Sequence, residues 1–573
     1  MPSDYDKICR DNIRRRGEEF DDIGQLISEQ LYSDRSHFVY ELLQNAEDAL
    51  ERRFRLNPND SSPCKVQFRL FQDRLEFRHF GAPFNEEDVR GISDVLKGTK
   101  KEDFIQIGKF GIGFKSVYAF TASPEIHSGE EHFVIKRYIR PEAKDPDFLI
   151  SDCETVFNFP FDHKELTVDN AFSLILNKLR GLGPRVLLFL RRIDEIVWSV
   201  EPDGEKGQYL KKAKEDTNYE NARCVTVIDH KNRQDDEEKW LIFERPVSVP
   251  DGRYQVRVEI GLRLETNLKD GTERIARVKE APLVAYFPTE KYTRLGLLIQ
   301  GPYRTKPSRD NIPKDDDWNK KLIAETAQLV VELLRQLKEM ALLSVSLLEA
   351  LPIRMEDFPV DSMFYPIVVA VRKALMDEDL LPADDGTFVS ARNAKLARGA
   401  DLRKLLNHDQ LCSLFQSTGT IKWLSGTITQ DRTPDLHTYL LNELDVEEVT
   451  PDSFARKITQ SFLVGQTDEW FIEFYGYLSD QEALWRSPRW SGDTGGLLRA
   501  KPILRLQDDS QVAPFRSDGT TPNAFLPPPE ETDFPIVKRS IVNNEQVGNF
   551  LSDWFCRSPM SLTTLSRGSC LNT

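Results

Sequence analysis

Three glycines in the stretch IGKFGIGFKS (107–116), Gly108, Gly111 and Gly113, fall in GxxGxG spacing. Glycines so placed let the backbone approach a ligand closely and turn successive N–H groups toward phosphate oxygens. A helix opening in FKSVYAF (114–120) would add the positive end of its dipole to the same anion site. Two other phosphate loops fit less well. A Walker A loop needs GxxxxGK[ST], whereas Phe114 separates Gly113 from Lys115; a Rossmann loop needs GxGxxG after a strand, the reverse of this order. A second stretch, YELLQNAEDAL (40–50), sets Glu41, Asn45 and Asp48 within about 60° of one another on a helix at 100° per residue. They form a narrow polar stripe beside a face carrying Phe38, Leu42, Ala46 and Ala49. Taken singly, each stretch has a bland reading: a glycine turn and a solvated helix face.

The elements that must position these groups follow from periodicity. Residues 20–55 read as helical. KVQFRL (65–70) and LEFRHF (75–80) alternate in period two around FQDR, which predicts a hairpin. Strands are predicted at FVIK (133–136) and TVFNF (155–159). The apolar run RVLLFL (185–190) opens a strand-rich region with WLIF (240–243), YQVRVEI (254–260) and LLIQ (297–300), closed by a long helix near 318–348. The expected domains are 1–170, 171–350 and a mixed α/β region 351–552, with an atypical tail at 553–573. LPADDGTFV (381–389) and ILRLQDDSQV (503–512) echo one another, each with an acidic turn between apolar strands. Hairpins often share turn chemistry, so two copies do not make a solenoid. After Asp553 the tail holds no acid and two cysteines, as expected of a segment unrelated to the folded part.

Composition removes several classes. A net charge of −16 argues against a broadly basic nucleic-acid surface. No apolar run reaches the length of a membrane span, and MPSDYDKICRDNIRRRGEEF lacks the apolar core of a signal peptide. Seven scattered cysteines without a CxxC pair support neither a disulfide framework nor a zinc site, which points to a reducing cytosol.

Together the two stretches are specific. ExxxNxxDA on a helix, a strand pair ending at a glycine, then GxxGxGF resembles the Bergerat-fold ATPases. This superfamily holds gyrase B, the ninety-kilodalton heat-shock chaperones, sensor histidine kinases and mismatch-repair ATPases. ELLQNAEDAL and IGKFGIGFKSVY are most similar to its chaperone branch and to sacsin-type modules. The resemblance implies an α+β fold: a two-layer α/β sandwich for the ATP-binding domain, then a transducer-like α/β domain. It implies ATP and Mg²⁺ as cofactors, with Glu41 as the general base that activates water, Asn45 as the Mg²⁺ ligand and Asp48 on the nucleoside side. Gly108, Gly111, Gly113, Phe114 and Lys115 belong to its phosphate loop, and GISDVLKGTK (91–100) holds the lid position, with Thr99 and Lys100 at its end. Thr155 matches a late-strand threonine near the nucleotide. In GPYRTKPSRDNI (301–312), Arg309 matches an arginine that reaches the γ-phosphate from the second domain.

The sequence departs from this family in one place. The base-reading motif DxGxG appears here as His79-Phe80-Gly81-Ala82-Pro83. Gly81 is kept, while His79 stands for the aspartate that accepts from the adenine amino group, and Pro83 for the second glycine. A neutral imidazole accepts one hydrogen bond and cannot copy a carboxylate's two acceptor oxygens. The expected function is Mg²⁺-dependent ATP binding and hydrolysis in a chaperone-like or sacsin-like protein, with a nucleotide-dependent homodimer and a client protein as partners. The alternatives are a nucleotide-binding switch that does not turn over, and a DNA-engaged ATPase of the mismatch-repair or microrchidia type.

Overall fold

A computed structural model of the chain describes residues 2–16, 38–94, 113–148, 150–151, 153–215, 219–231, 234–250, 255–267, 271–305, 312–485, 496–518 and 521–554. Of the expected site residues, Thr99, Lys100, Gly108, Gly111 and Arg309 lie outside these, as does nearly all of the tail expected from 553 on. The chain divides into two compact units, residues 1–371 and 372–573.

In the first unit, α1 (Tyr5–Arg16) precedes α2 (Phe38–Leu56), the helix that carries the polar stripe. Phe38, Leu42, Ala46 and Ala49 recur on one face of α2 and bury against the sheet, while Arg53 and Arg55 in its last turn complement the helix dipole. The predicted hairpin forms as β1 (Lys65–Leu70) and β2 (Arg74–His79), paired from Val66↔His79 to Leu70↔Leu75. α3 (Glu86–Ser93) starts at Asn85, whose side chain accepts from the Asp88 N–H while the Asp88 carboxylate accepts from the Asn85 N–H. Then come β3 (Glu125–Ser128), β4 (Glu131–Lys136), β5 (Arg140–Ala143), β6 (Thr155–Pro160) and α4 (Val168–Gly181).

The strand-rich region supplies β7 (Glu195–Val200), β8 (Lys206–Glu215), β9 (Ala222–Lys231), β10 (Gln234–Ser248), β11 (Gln255–Thr266), β12 (Glu273–Ala276), β13 (Pro282–Ala285), β14 (Phe287–Tyr292) and β15 (Leu298–Gln300). RVLLFL, the apolar run at its start, begins in a 3-10 turn, Pro184–Leu187. α5 (Asp317–Glu339) closes the region, capped by the Asp316 side chain, and ends short of the predicted 348. All of these strands belong to one mixed sheet of order β14-β13-β15-β11-β10-β9-β8-β7-β1-β2-β6-β3-β4-β5, with β12 beside β11. The join is the parallel pair β1–β7, in register from Lys65↔Glu195 to Leu70↔Val200. A single buried core follows the sheet across the join, from Phe38, Phe68 and Phe157 to Trp198, Trp240 and Phe287. The architecture is α+β, and the boundary expected near 170 falls on α4 while sheet and core run past it.

The second unit turns the weak echo into a duplication. Leu381–Pro382 pairs with Phe388–Val389, and Leu504–Arg505 with Gln511–Val512, in the same antiparallel register. In each turn an aspartate Oδ1 accepts twice from a hydroxyl residue two positions on: Asp385 from Thr387 N (3.0 Å) and Oγ1 (2.5 Å), Asp508 from Ser510 N (3.0 Å) and Oγ (2.6 Å). The match continues into distant chain. Leu424 bridges Ala383 as Val537 bridges Leu506. Asp384 N donates to Trp423 O as Gln507 N does to Ile536 O; Leu424 N donates to Lys395 O as Val537 N does to Phe525 O; Ser425 N donates to Pro382 O as Lys538 N does to Arg505 O. Shared turn chemistry cannot produce the distant bonds, so the explanation by turns alone is replaced by a repeated module.

Candidate functional site

α2 brings the stripe to the sheet. Glu41 is 5% exposed, Asn45 half-buried and Asp48 exposed along one edge of the helix. Asp48 keeps that open edge, yet the protein around it and then the carboxylates of Glu47 and Glu51 raise its carboxyl to about 7. The segment after β2 docks on the same helix. Ala82 N donates to Ala49 O at 2.9 Å, and Arg53 donates to Phe80 O. Gly81 sits so close that a Cβ there would meet Ala49 Cβ at 2.4 Å and its carbonyl carbon at 2.7 Å. Helix packing therefore accounts for this glycine. Pro83 in turn packs on the β3–β4 turn, where Gly129 has φ +58° and a Cβ would stand 3.1 Å from Pro83 Cβ.

His79 ends β2, buried between Phe77 and Phe157 with ring centroids 6.0 and 5.9 Å away. Its Nδ1 accepts from the Gly81 N–H at 3.1 Å. Burial first, then the charges of Arg52 and Arg53, lower its pKa to about 3, so the ring is neutral and its one proton sits on Nε2. The acceptor expected for a base is thus spent on the protein's own turn, and what the ring has left is a donor. Strand register sets His79 opposite Thr155 on β6, and Thr155 opposite Ser128 on β3. Ser128 Oγ accepts from Phe84 N at 3.0 Å and lies 2.6 Å from Thr155 Oγ1. Ser128 was missed in the sequence, because only the register of three strands places it in this row.

Asp48, His79, Gly81 and Thr155 therefore gather around the second half of α2 and the β2–β6–β3 rows, with Glu41 and Asn45 earlier on the same helix. Phe114 and Lys115 do not join them. Gly113–Ala119 is a 3-10 helix rather than an α-helix. Phe114 is a core residue, 5.9 Å from Phe157 and 6.3 Å from Phe159 between ring centroids. In place of the phosphate contact expected of it, Lys115 is buried and its Nζ donates to the carbonyls of Ile92 (2.8 Å) and Tyr138 (2.7 Å). Asn12 of α1 donates to the next carbonyls, Ser93 O (3.1 Å) and Ile139 O (3.0 Å). Two buried donors thus hold the end of α3.

Burial lowers the Lys115 pKa from 10.5 to about 7, against the opposing charge of Asp94. Between these values the unfolded chain binds a proton that the folded chain does not, so stability rises with pH across this window and is level below it. In urea titrations from pH 7 to 10, Lys115→Met should flatten that rise. An unchanged pH slope would remove Lys115 as its source.

Among the described residues no cluster of His, Cys, Asp or Glu is arranged to hold a metal unaided, and no helix is long and apolar enough to cross a membrane. Half-buried Asn45, expected as the Mg²⁺ ligand, carries an amide oxygen of the kind that suits a Mg²⁺ which keeps its waters and takes its other ligands from phosphates.

Residues 21–140 match the Sacsin domain family. The chain is 29% identical over 338 residues to Protein NO VEIN of Arabidopsis thaliana, covering 54% of this chain and 12% of that protein. It is 28% identical over 210 residues to human Sacsin, 29% of this chain and 5% of that protein. It is 31% identical over 175 residues to an Endoplasmin homolog of Catharanthus roseus, 26% of this chain and 21% of that protein. The chain spans only a small part of each of these relatives. The likeness to sacsin-type and heat-shock chaperone modules, expected from two short motifs, is borne out.

Proposed function

We propose that residues 1–371 form a Mg²⁺-dependent ATPase module of the sacsin and heat-shock chaperone kind. The observation that carries the reading is α2, which presents Glu41, Asn45 and Asp48 on one edge while the His79–Pro83 turn docks on Ala49 of the same helix. When bound, Mg²⁺ would offset charge on the phosphates of ATP, whose phosphoanhydride is the bond to be cleaved. Glu41 takes the proton of the attacking water. Asn45 offers its amide oxygen to the metal. Arg309 compensates charge on the transferring phosphoryl group from the second half. A dimer that forms with nucleotide, a client protein and a cytosolic setting belong to the same proposal.

A panel of ATP, ADP and GTP, with and without Mg²⁺, tests it by calorimetry. ATP should bind in Mg²⁺ and lose most of its affinity in a chelator. Asn45→Ala should erase that difference, by about tenfold or more, the scale on which metal affinity depends on a ligand and its supports. Equal ATP affinity for Asn45→Ala and wild type in Mg²⁺ would remove Asn45 from the metal. His79 favours a second reading, a switch that binds without turnover; phosphate release measured on the same sample separates the two.

A further inference from the structure

α2 carries a second set of acids on the side turned toward the far half of the sheet. Glu47 is buried, and its carboxylate accepts from three consecutive backbone N–H groups just before β7. Oε1 accepts from Arg191 (2.5 Å) and Arg192 (2.8 Å), and Oε2 from Ile193 (2.9 Å). Beside it, Glu51 Oε2 accepts from Arg192 Nε at 2.5 Å, and the Arg192 guanidinium lies 3.6 Å from the centre of the Phe54 ring. The chain of contacts continues outward. Arg191 Nη2 reaches Glu244 on β10 (2.7 Å) and Glu259 on β11 (2.6 Å), and Arg223 of β9 holds the same two carboxylates at 2.7 and 2.6 Å. Next to Glu41, Tyr40 stacks on Phe287 of β14, centroids 5.1 Å apart and planes at 25°.

A buried carboxylate that accepts three amides has no other partner to turn to if they move away. α2 cannot shift by an ångström without stretching these bonds or taking residues 191–193 along. Those residues cannot move without carrying Arg191 and its pairs on β10 and β11. We propose that Glu47 is the positioning residue that couples occupancy of the α2 stripe by a nucleoside triphosphate to the β9–β11 end of the sheet. The coupling rests on the nucleotide reading of the stripe. It goes beyond that reading in naming a residue that touches neither phosphate nor base.

Hydrogen exchange of the full chain, with and without Mg²⁺-ATP, tests the coupling. In the wild type, ATP should slow exchange at residues 191–193 and along β9–β11 as well as in α2. In Glu47→Gln, where an amide donor faces backbone N–H groups, ATP should bind within about threefold of wild type while the slowing beyond α2 is lost. Phosphate release should then fall about tenfold with KM unchanged, as for a displaced rather than a deleted catalytic group. The same slowing in Glu47→Gln as in wild type would overturn the proposal. So would ATP binding to the wild type with slowing confined to α2. Should Glu47→Gln not fold, Glu51→Gln weakens the more exposed pairs with Arg192 and Arg55 and leaves Glu47 and its three amides in place. It should weaken the slowing at 191–193, and a wild-type pattern there counts against the coupling. A wild type that binds no ATP brings down the site reading itself, a result distinct from binding without transmission.

Discussion

Glu41→Ala is expected to cut phosphate release by about 10²-fold or more, the usual scale for losing a positioned base, while ATP affinity stays within a few-fold. The asymmetry is the point of the test. A base acts on the water in the transition state and contributes little to holding the ground-state nucleotide, so kcat should fall without a matching change in KM. The position supports this role: Glu41 lies in the first turn of α2, 5% exposed, one helical turn before the half-buried Asn45. Replacing a buried glutamate also removes a group with partners of its own, so thermal unfolding of the variant must be shown alongside. A folded Glu41→Ala protein that loses binding and turnover in the same proportion would make Glu41 a ligand or a structural acid rather than the base. An unchanged rate would take it out of the reaction.

The legible part of this site was the part written in local spacing. Glu41, Asn45 and Asp48 share a helix edge because 3.6 residues make a turn, and the β1–β2 hairpin alternates in period two; both were read from short windows. What escaped depends on distant chain. Nothing in KVQFRL announces that it pairs in parallel with EIVWSV across more than a hundred residues, so local patterning shows no sheet running past 170. Ser128 enters the His79–Thr155 row only through strand register. Lys115 beside the glycine loop has the composition of a phosphate ligand, but two backbone carbonyls left at the end of α3 and in the β4–β5 turn take its ammonium first. Glu47 carries no signal in its own window either, because its three donors come from residues 191–193. Even the echo in the second unit needed the cross-strand bonds of Leu424 and Val537 to separate duplication from common turn chemistry.

His79 is the position where the chain departs from the base-reading motif that the resemblance implies. With Nδ1 accepting from Gly81 and burial keeping the ring neutral, the imidazole can offer a base only the Nε2 proton. An adenine amino group placed against His79 would need an acceptor, which the ring does not offer. Guanine presents a carbonyl at the equivalent place, which a donor suits. The wild type should therefore discriminate weakly against GTP. His79→Asp should restore a charged acceptor near Arg52 and Arg53, whose positive charge favours an ionised carboxylate. The ratio of ATP to GTP affinity should then rise by about ten- to a hundredfold, the worth of about 1–3 kcal/mol for a hydrogen bond to a charged group. The direction carries more than the size. If the aspartate were merely an uncompensated buried charge, both nucleotides would weaken together and the domain would lose stability. Calorimetric titration of both proteins with both nucleotides, beside urea unfolding of each, distinguishes these results. A ratio that does not move toward ATP would show that His79 is a wall of the turn and not a reader of the base.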